Sequence, residues 1–329
     1  MYCSKLIVIY LLISFRSASS DLNLTNYHRF NVIEEYIYSL PAKFPDLVEV
    51  KIFGKSFEGR NLSFVHLSTN KQVKKPVVLL DAGIHGREWI APSMALYILH
   101  QLTVKYEDNK DLVNKFDWII IPVLNPDGYE YTFQGDRLWR KTRNTNINST
   151  CVGVDANRNF NFHWMDNVYP VDACAEDYAG LQPFSEPESK ALANLMAQHN
   201  VQLYLTLHSF GNFILYPYGY TIKAPLRWKE LQRIALEAAL AIRKHSGTEY
   251  VTGSSSTVLY PAPGGSDDYA VGALDVPFAY TIELPKGGEI GFEPAPSEMM
   301  QIFEETMLGF EVMVHEVALI LENSTKLRN

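Results

Sequence analysis

The chain has 329 residues, of which 47% are hydrophobic, with a formal net charge of -8 and a pI of about 5.6. This length allows one large α/β domain or two ordinary ones. The acidic balance, with no run of lysines and arginines, excludes a protein built to bind nucleic-acid phosphates.

The first 20 residues have the pattern of a secretory signal peptide. Lys5 supplies a positive charge, and residues 6–15 form an apolar stretch that is too short to span a bilayer. A short membrane anchor is the alternative. We predict a signal peptide over residues 1–20, one folded domain over residues 21–329, and a secreted, extracellular product.

Two cysteines remain after the signal, Cys151 and Cys174. In an oxidising compartment we expect them to form a disulfide, and two free thiols are the alternative. Such a bridge would stabilise the fold by about 3 kcal/mol in the chain-entropy model. Glycosylation sequons agree with export, and they begin at Asn23, Asn61, Asn148 and Asn323.

The hydrophobic pattern predicts strands that alternate with helices, which indicates an α/β fold with a largely parallel sheet. Residues 125–128 predict a turn, residues 185–188 a capping box, and residues 137–162 lack a regular pattern. In chain order the predicted elements are a helix at 30–44, strands at 47–53, 62–67 and 77–82, an amphipathic helix at 90–102, a strand at 118–124, a helix from 185 to 199, a strand at 203–208, an amphipathic helix at 225–244, a strand at 278–284 and a helix at 296–322.

Several polar residues lie at or near the predicted strand ends, namely His85, Glu88, Asn125, His208 and Glu283. Open α/β sheets bind ligands at the carboxyl ends of their strands, so we expect these side chains to form a site. His85 and Glu88 are three residues apart at a strand-to-helix junction, and both are good zinc ligands. The alternative for this pair alone is a histidine and a glutamate that cap the start of a helix.

A catalytic zinc site needs a third protein ligand and an open fourth position. His208 is the candidate for that ligand, although a histidine in this position would otherwise be assigned to the core. Glu283 could act as a general base beside the metal, and its alternative is an ordinary charge at a strand end. A His, Glu and distant His set is typical of zinc peptidases.

Three further candidates lie in the irregular segment. Arg158 could hold a carboxylate in a bidentate pair, with Asn157 donating beside it. Arg140 could stabilise an oxyanion together with the metal. The alternative for all three is polar side chains in a solvated loop, which their spacing does not exclude.

Taken together, the chain resembles the zinc metallocarboxypeptidases of the A/B type over nearly all of its length after the signal. The matching motifs occur in the family's order and at its spacings. They are His85-Gly86-Arg87-Glu88-Trp89, Asn125-Pro126-Asp127-Gly128-Tyr129, Leu138-Trp139-Arg140-Lys141-Thr142-Arg143, Gly153-Val154-Asp155-Ala156-Asn157-Arg158-Asn159-Phe160, His208-Ser209, Tyr216-Pro217-Tyr218-Gly219, Gly264-Gly265-Ser266 and Glu283-Leu284.

The resemblance implies a single-domain fold with a twisted, mixed, eight-stranded sheet flanked by helices, and it implies a role for each matching residue. The implied ligands of one Zn²⁺ per chain are His85, Glu88 and His208. The implied catalytic residues are Glu283 as the base and Arg140, which would polarise the scissile carbonyl. The implied substrate-binding residues are Asn157, Arg158 and Tyr260 on the terminal carboxylate and Arg87 along the substrate path. Cys151 and Cys174 match the family's disulfide.

Asp267 follows Gly264-Gly265-Ser266, and in the family this position lies at the floor of the specificity pocket. There, an aspartate accompanies C-terminal lysine or arginine, and an aliphatic residue accompanies apolar or aromatic C-termini. A carboxylate in a partly dry pocket is costly unless a cation relieves it. The resemblance therefore implies carboxypeptidase B-like specificity. The alternative is that Asp267 turns away to a neighbouring donor and the enzyme takes apolar C-termini, as carboxypeptidase A does.

Departures from the family pattern leave the catalytic groups in place. Phe210 replaces a common tyrosine, and residues 285–288 replace a common Arg-Asp. No inhibitory pro-segment fits before the enzyme-like part, so we expect activity without proteolytic activation, with a truncated form as the alternative. The expected partners are peptide and protein C-termini, with no nucleic acid, no membrane after signal removal, and a monomeric chain. An inactive peptide-binding relative and a deacylase are the rival functions, and the retained base and carboxylate-binding residues argue against them.

Overall fold

The computed structural model describes residues 22–166 and 172–326, so the predicted signal peptide lies outside the described residues. Within these ranges the chain forms one α/β fold around a single eight-stranded sheet. The strands are β1 (Val48–Lys55), β2 (Asn61–Leu67), β3 (Val77–Ala82), β4 (Asp117–Ile121), β5 (Val201–Ser209), β6 (Phe213–Tyr216), β7 (Val251–Ser254) and β8 (Phe278–Leu284).

Helices lie on both faces of this sheet, and several of them connect its strands. They are α1 (Phe30–Lys43), α2 (Ile90–Thr103), α3 (Tyr106–Lys115), α4 (Pro126–Gln134), α5 (Pro187–Gln198), α6 (Trp228–Ser246), α7 (Ser255–Val258), α8 (Ser266–Leu274) and α9 (Pro296–Lys326), with a 3₁₀ turn at Ala156–Arg158. In the described part of the chain, none of the helices combines the length and the apolar composition that crossing a membrane would need.

The strand order is β1-β2-β4-β3-β5-β8-β6-β7. Strands β4, β3, β5 and β8 run parallel to one another, whereas β1 with β2, β2 with β4, and β6 with β8 are antiparallel. This confirms the mixed eight-stranded sheet that the resemblance implies. The largely parallel sheet inferred from the alternation of elements holds for these central strands and for the edge pair of β6 and β7, which is also parallel. It fails at β1 and β2, because the short turn between them can join only an antiparallel pair.

Both faces of the central strands are buried, which explains their unbroken apolar runs. In β3, Val78 and Leu80 pack with residues of α1, α2, α6 and α9, whereas Val77 and Leu79 pack on the opposite face with residues of α5 and α8. Side chains that alternate between two cores leave no polar face on the strand. The polar residues at the strand ends therefore stand out against the rest of these strands.

The structure corrects two local predictions around the site. α2 is not amphipathic, because it is buried on almost every side, with only His100 and Gln101 outside the fully buried set. The predicted turn at residues 125–128 is the start of α4. The Asn125 side chain accepts a hydrogen bond from the Gly128 N–H, and Pro126 occupies the first helical turn, a combination that begins a helix.

The predicted capping box at residues 185–188 is also wrong. Glu186 is the N-cap residue of α5, and its side chain makes no capping hydrogen bond. Its carboxylate instead accepts hydrogen bonds from Thr142 and Asn144, while the buried Glu188 accepts one from the Phe57 N–H. The two glutamates thus hold distant loops against α5.

Glu188 should make the stability of the fold depend on pH. Burial, with Glu186 nearby, raises the pKa of Glu188 to about 8. A raised pKa in the folded state means that stability is fully present below the ordinary glutamate pKa and is lost as pH rises through about 8. We expect Glu188→Gln to lose less unfolding free energy than the parent between about pH 5 and pH 9, measured by urea denaturation. The exposed helical Glu304→Gln is the control, and equal pH slopes for parent and Glu188→Gln would contradict the prediction.

Candidate active site

The turn between β3 and α2 carries His85 and Glu88, both of which are buried. Gly86, between them, lies against the first turn of α4. A Cβ at Gly86 would lie 2.5 Å from the Gly128 carbonyl oxygen, so only glycine permits this close approach. The Gly86 N–H also donates to the Arg140 carbonyl oxygen at 3.0 Å. The turn is therefore held at a fixed position beside the carboxyl end of the sheet.

His208 and Glu283 are brought together by the register of β5 and β8. These strands are parallel neighbours, and His208 lies directly beside Glu283. Both residues come near the carboxyl ends of their strands, so both side chains reach the same edge of the sheet as the β3–α2 turn. The sheet thus assembles four of the predicted site residues at one place.

His85, Glu88 and His208 offer donor atoms that could hold a metal ion, all within 4.8 Å of one another. Nδ1 of His85 lies 2.7 Å from Glu88 Oε1, Nδ1 of His208 lies 3.0 Å from Glu88 Oε2, and the two Nδ1 atoms are 3.2 Å apart. Tetrahedral zinc with bonds of about 2.0–2.1 Å would space its donors roughly 3.3 Å apart. The buried donor set therefore fits zinc in both chemistry and separation.

The pKa shifts of Glu88 and His208 in this set favour a positive charge between them. Burial alone would raise the pKa of Glu88, but His85 and His208 hold it below its usual range. Burial and the Arg140 guanidinium lower the pKa of His85. Burial would also lower the pKa of His208, but the Glu88 carboxylate raises it to about 9. The Glu88 carboxylate therefore stabilises positive charge in this set, which is what a bound metal ion would supply.

Asp155 links the His85 side of this set to the basic residues. Its Oδ1 lies 3.1 Å from Nε2 of His85, and its Oδ2 accepts two hydrogen bonds from Arg140 at 2.8 and 3.1 Å. Burial would raise the pKa of Asp155, but Arg140 and Arg158 hold it well below its usual range. Sequence reasoning quoted Asp155 within a motif but gave it no role, because an aspartate in an irregular loop carries no positional signal.

The irregular segment that carries Arg140, Asp155 and Arg158 is held in place by a disulfide and by backbone hydrogen bonds. A disulfide joins Cys151 to Cys174, whose Cα atoms are 5.2 Å apart. The 3₁₀ turn that follows carries Asn157 and Arg158, and Arg158 is buried. Asn157 Oδ1 accepts a hydrogen bond from the Ser266 N–H at 2.9 Å. Two polar donors are thereby placed next to the start of α8.

A cavity of about 250 Å³ opens beside the metal-binding set and joins most of the predicted site residues. Tyr260 lies on its wall and is 54% exposed, as expected of a side chain at the mouth. Phe210 and Phe292 also line it, with ring centroids 4.8 Å apart. Arg87 does not line the cavity itself. Its guanidinium lies 4.7 Å from the Phe292 ring centroid and pairs with Glu176.

Asp267 lies in the first turn of α8 and lines the same cavity, with 7% of its surface exposed. Its carboxylate accepts hydrogen bonds from the Asp268 N–H at 2.9 Å and from the Thr281 hydroxyl at 3.2 Å. Burial raises its pKa. Among the described residues it forms no ion pair, and the groups that donate hydrogen bonds to it are neutral.

Glu283 also lines the cavity but contributes no atom to the metal-binding set. It is half-buried, since the cavity gives solvent access to it. Burial raises its pKa to about 7 in the metal-free protein. A carboxylate with a raised pKa in a cleft can both accept and return a proton near neutral pH.

Comparison with known proteins adds a second, independent line of evidence. The profile of the zinc carboxypeptidase family matches residues 33–309. Carboxypeptidase B of Astacus astacus is 39% identical over 300 residues, which cover 90% of this chain and 98% of that protein. Carboxypeptidase A4 of Mus musculus is 37% identical and covers 91% of this chain and 72% of its own.

Solved structures agree with the sequence comparison. The crystal structure of carboxypeptidase A from Helicoverpa armigera superposes with a TM-score of 0.85 at 37% identity, over 92% of this chain and 77% of that one. Relatives of both the A and the B type are therefore similar to this protein. The matched fold, the extent of the match and the histidine-glutamate-histidine set lead to one conclusion. The chain belongs to the zinc carboxypeptidase family and is an enzyme of its A/B type.

Proposed function

We propose that this enzyme removes lysine and arginine residues from the C-termini of peptides. The observation that carries the proposal is Asp267, a buried carboxylate on the cavity wall whose described partners are all neutral. An unpaired buried charge is costly, and a lysine or arginine side chain entering the cavity would supply the missing cation. A phenylalanine or leucine side chain would leave the carboxylate desolvated without a partner, which disfavours it.

We assign one zinc ion to His85, Glu88 and His208. Bound there, zinc supplies the Lewis acidity that polarises a carbonyl and acidifies water. Glu283 would take a proton from the attacking water and deliver it to the nitrogen of the departing residue. Arg140 would stabilise the negative charge that develops on the scissile carbonyl oxygen, and Asp155 fixes its guanidinium by two hydrogen bonds.

The terminal carboxylate of the substrate would bind to Arg158, Asn157 and Tyr260. Because Oδ1 of Asn157 accepts from the Ser266 N–H, its NH₂ group is the part that would donate to the substrate. Tyr260, at the mouth of the cavity, could close over a bound residue with its hydroxyl. Arg87 would act further out along the peptide, next to Phe292. Because these residues would bind the free C-terminal carboxylate, only the last peptide bond of the substrate would reach the metal and Glu283.

A panel of matched peptides tests the specificity. We expect kcat/KM on peptides ending in arginine or lysine to exceed that on peptides ending in leucine or phenylalanine by roughly 100-fold or more, because the buried carboxylate pairs only with a cation. A preference for phenylalanine or leucine would instead establish carboxypeptidase A-like specificity. Failure to cleave any of the peptides in the presence of zinc would support an inactive relative.

We also propose that the enzyme is secreted, with a catalytic domain that starts after residue 20. The Cys151–Cys174 disulfide supports an oxidising compartment. Asn148 and Asn323, at the start of two sequons, are exposed and could carry glycans. Expressed in eukaryotic cells, the protein is expected in the medium with Asp21 as its first residue, measured by N-terminal sequencing. Retention in the cell with Met1 intact would contradict this.

A further inference from the structure

Behind His208, on the side away from Glu88, lies a short chain of buried polar groups. Nε2 of His208 is 3.1 Å from the Thr206 hydroxyl oxygen, and that hydroxyl donates to Oδ1 of Asp81 at 3.1 Å. All three residues are buried. None of the assigned catalytic or substrate-binding roles uses Thr206 or Asp81. Burying an acid such as Asp81 is costly unless it is hydrogen-bonded or paired, so its partners need an explanation.

The sheet itself builds this chain. Thr206 and His208 are two residues apart in β5, so their side chains lie on the same face of the strand. Asp81 in the neighbouring β3 is paired with Thr206 in the register of the parallel strands. The three groups therefore keep their contact for as long as the register holds, and no loop needs to be ordered for them to meet.

The direction of each hydrogen bond follows from the number of protons available. A threonine hydroxyl has one proton, and Thr206 donates it to the Asp81 carboxylate. The Thr206 oxygen can then only accept a hydrogen bond from His208, so the proton of the neutral imidazole must sit on Nε2. Nδ1 is left with its lone pair, and it is Nδ1 that lies near Glu88 and His85.

The other histidine is oriented differently. Nε2 of His85 contacts the carboxylate of Asp155 directly, and that carboxylate is shared with Arg140. For His208 a neutral hydroxyl stands between the ring and the carboxylate. Replacing Thr206 by valine removes that hydroxyl with almost no change in shape and none in charge, so its contribution can be measured.

We propose that Thr206, oriented by Asp81, is a positioning residue that holds His208 in the tautomer with Nδ1 free for the metal and thereby sets the zinc affinity of the site. The inference rests on the assignment of His208 as a zinc ligand. Groups that orient metal-bound histidines typically change metal affinity by about 10- to 100-fold when removed.

The test is zinc titration of the metal-free full-length chain against a chelator of known affinity. We expect Thr206→Val to weaken zinc binding about 10- to 100-fold and Thr206→Ser, which keeps the hydroxyl, to bind as the parent does. Thr103→Val removes another buried hydroxyl, one that donates to the Leu99 carbonyl oxygen in the last turn of α2, at the opposite end of that helix from the site, and should leave zinc affinity unchanged.

A double-mutant cycle tests the role of Asp81. Asp81→Asn should weaken zinc binding in the parent but have little further effect in the Thr206→Val background, since Asp81 acts through the hydroxyl. Nitrogen-15 shifts of the His208 ring in the zinc-bound protein should show the proton on Nε2 in the parent and the Thr206→Ser variant. Equal zinc affinity of Thr206→Val and parent, or equal effects of Asp81→Asn in both backgrounds, would overturn the inference. A parent that binds no zinc would overturn the proposed function as well.

Discussion

Replacement of Glu283 by glutamine is expected to lower kcat by about 10²- to 10⁴-fold while zinc binding is retained. Glutamine has nearly the same shape as glutamate and keeps its hydrogen-bonding capacity, but it cannot take a proton from water. Glu283 provides none of the three metal-binding side chains and lies beside His208 in the neighbouring strand. The variant should therefore lose proton transfer and keep the metal.

Metal analysis separates this outcome from a general loss of structure. Parent and Glu283→Gln should each contain one zinc per chain, and a strong chelator should abolish the activity of the parent until zinc is added back. Glu289→Gln, an exposed change in the loop that follows β8, is the matched control and should be fully active. Near-normal turnover by Glu283→Gln would remove Glu283 from the mechanism.

The second large effect concerns Asp267. We expect Asp267→Asn to lower kcat/KM on arginine- and lysine-ended peptides by roughly 100-fold, because a desolvated cation would face an amide in place of a carboxylate. Asp267→Ile should lose the preference for basic ends as well and gain activity on leucine-ended peptides. The gain is expected because an aliphatic side chain removes the carboxylate that an apolar substrate side chain would desolvate without pairing with it.

A neutral isostere distinguishes charge from shape in this pocket. A peptide ending in citrulline resembles one ending in arginine but carries no charge. The parent should cleave it far less well than the arginine peptide, and Asp267→Asn should treat the two nearly alike. If parent and Asp267→Asn discriminate between arginine and citrulline equally, then a group other than Asp267 binds the charged side chain of the substrate, and Asp267 interacts only with its neighbours in the protein.

Much of the site could be predicted because its residues interrupt apolar strands. His208 and Glu283 each close a run of buried residues, and His85 follows another, so their polarity stood out without any knowledge of contacts. Buried strands with both faces covered have a strong signal of this kind. The resemblance to a family then gave these isolated residues their roles.

The start of α8 could not be predicted, because tertiary contacts define it. Gly265 precedes the helix, and two adjacent aspartates follow within its first turn. Asp268 is buried because its carboxylate accepts the backbone N–H groups of Gly219 and Tyr220. Nothing local indicates such long-range partners, so a Gly-Gly-Ser-Asp-Asp stretch resembles a loop.

Strands β6 and β7 were missed for a different reason. Each has only four residues. The apolar residues of β6 make too short a run to distinguish a strand from a loop or a helix segment, and β7, with an exposed Val251, shows neither an apolar run nor alternation. Their pairing in the sheet depends on β8, which lies far away in the sequence. The same dependence on distant partners hid Asp155, whose contacts with His85 and Arg140 exist only in the folded chain.

The pairing of His208 with Glu283 in adjacent strands has a consequence for how this enzyme could diverge. Inserting or deleting one residue within β5 or β8 would turn every later side chain of that strand to the opposite face, so the proposed base and ligand could not survive such a change. The segment from Tyr260 to Asp267 lies outside those strands and can vary without shifting their register. New substrate preferences can therefore arise from single substitutions near Asp267. Insertions and deletions that accumulate after gene duplication should be confined to the loops, while the strands of the sheet keep a constant length.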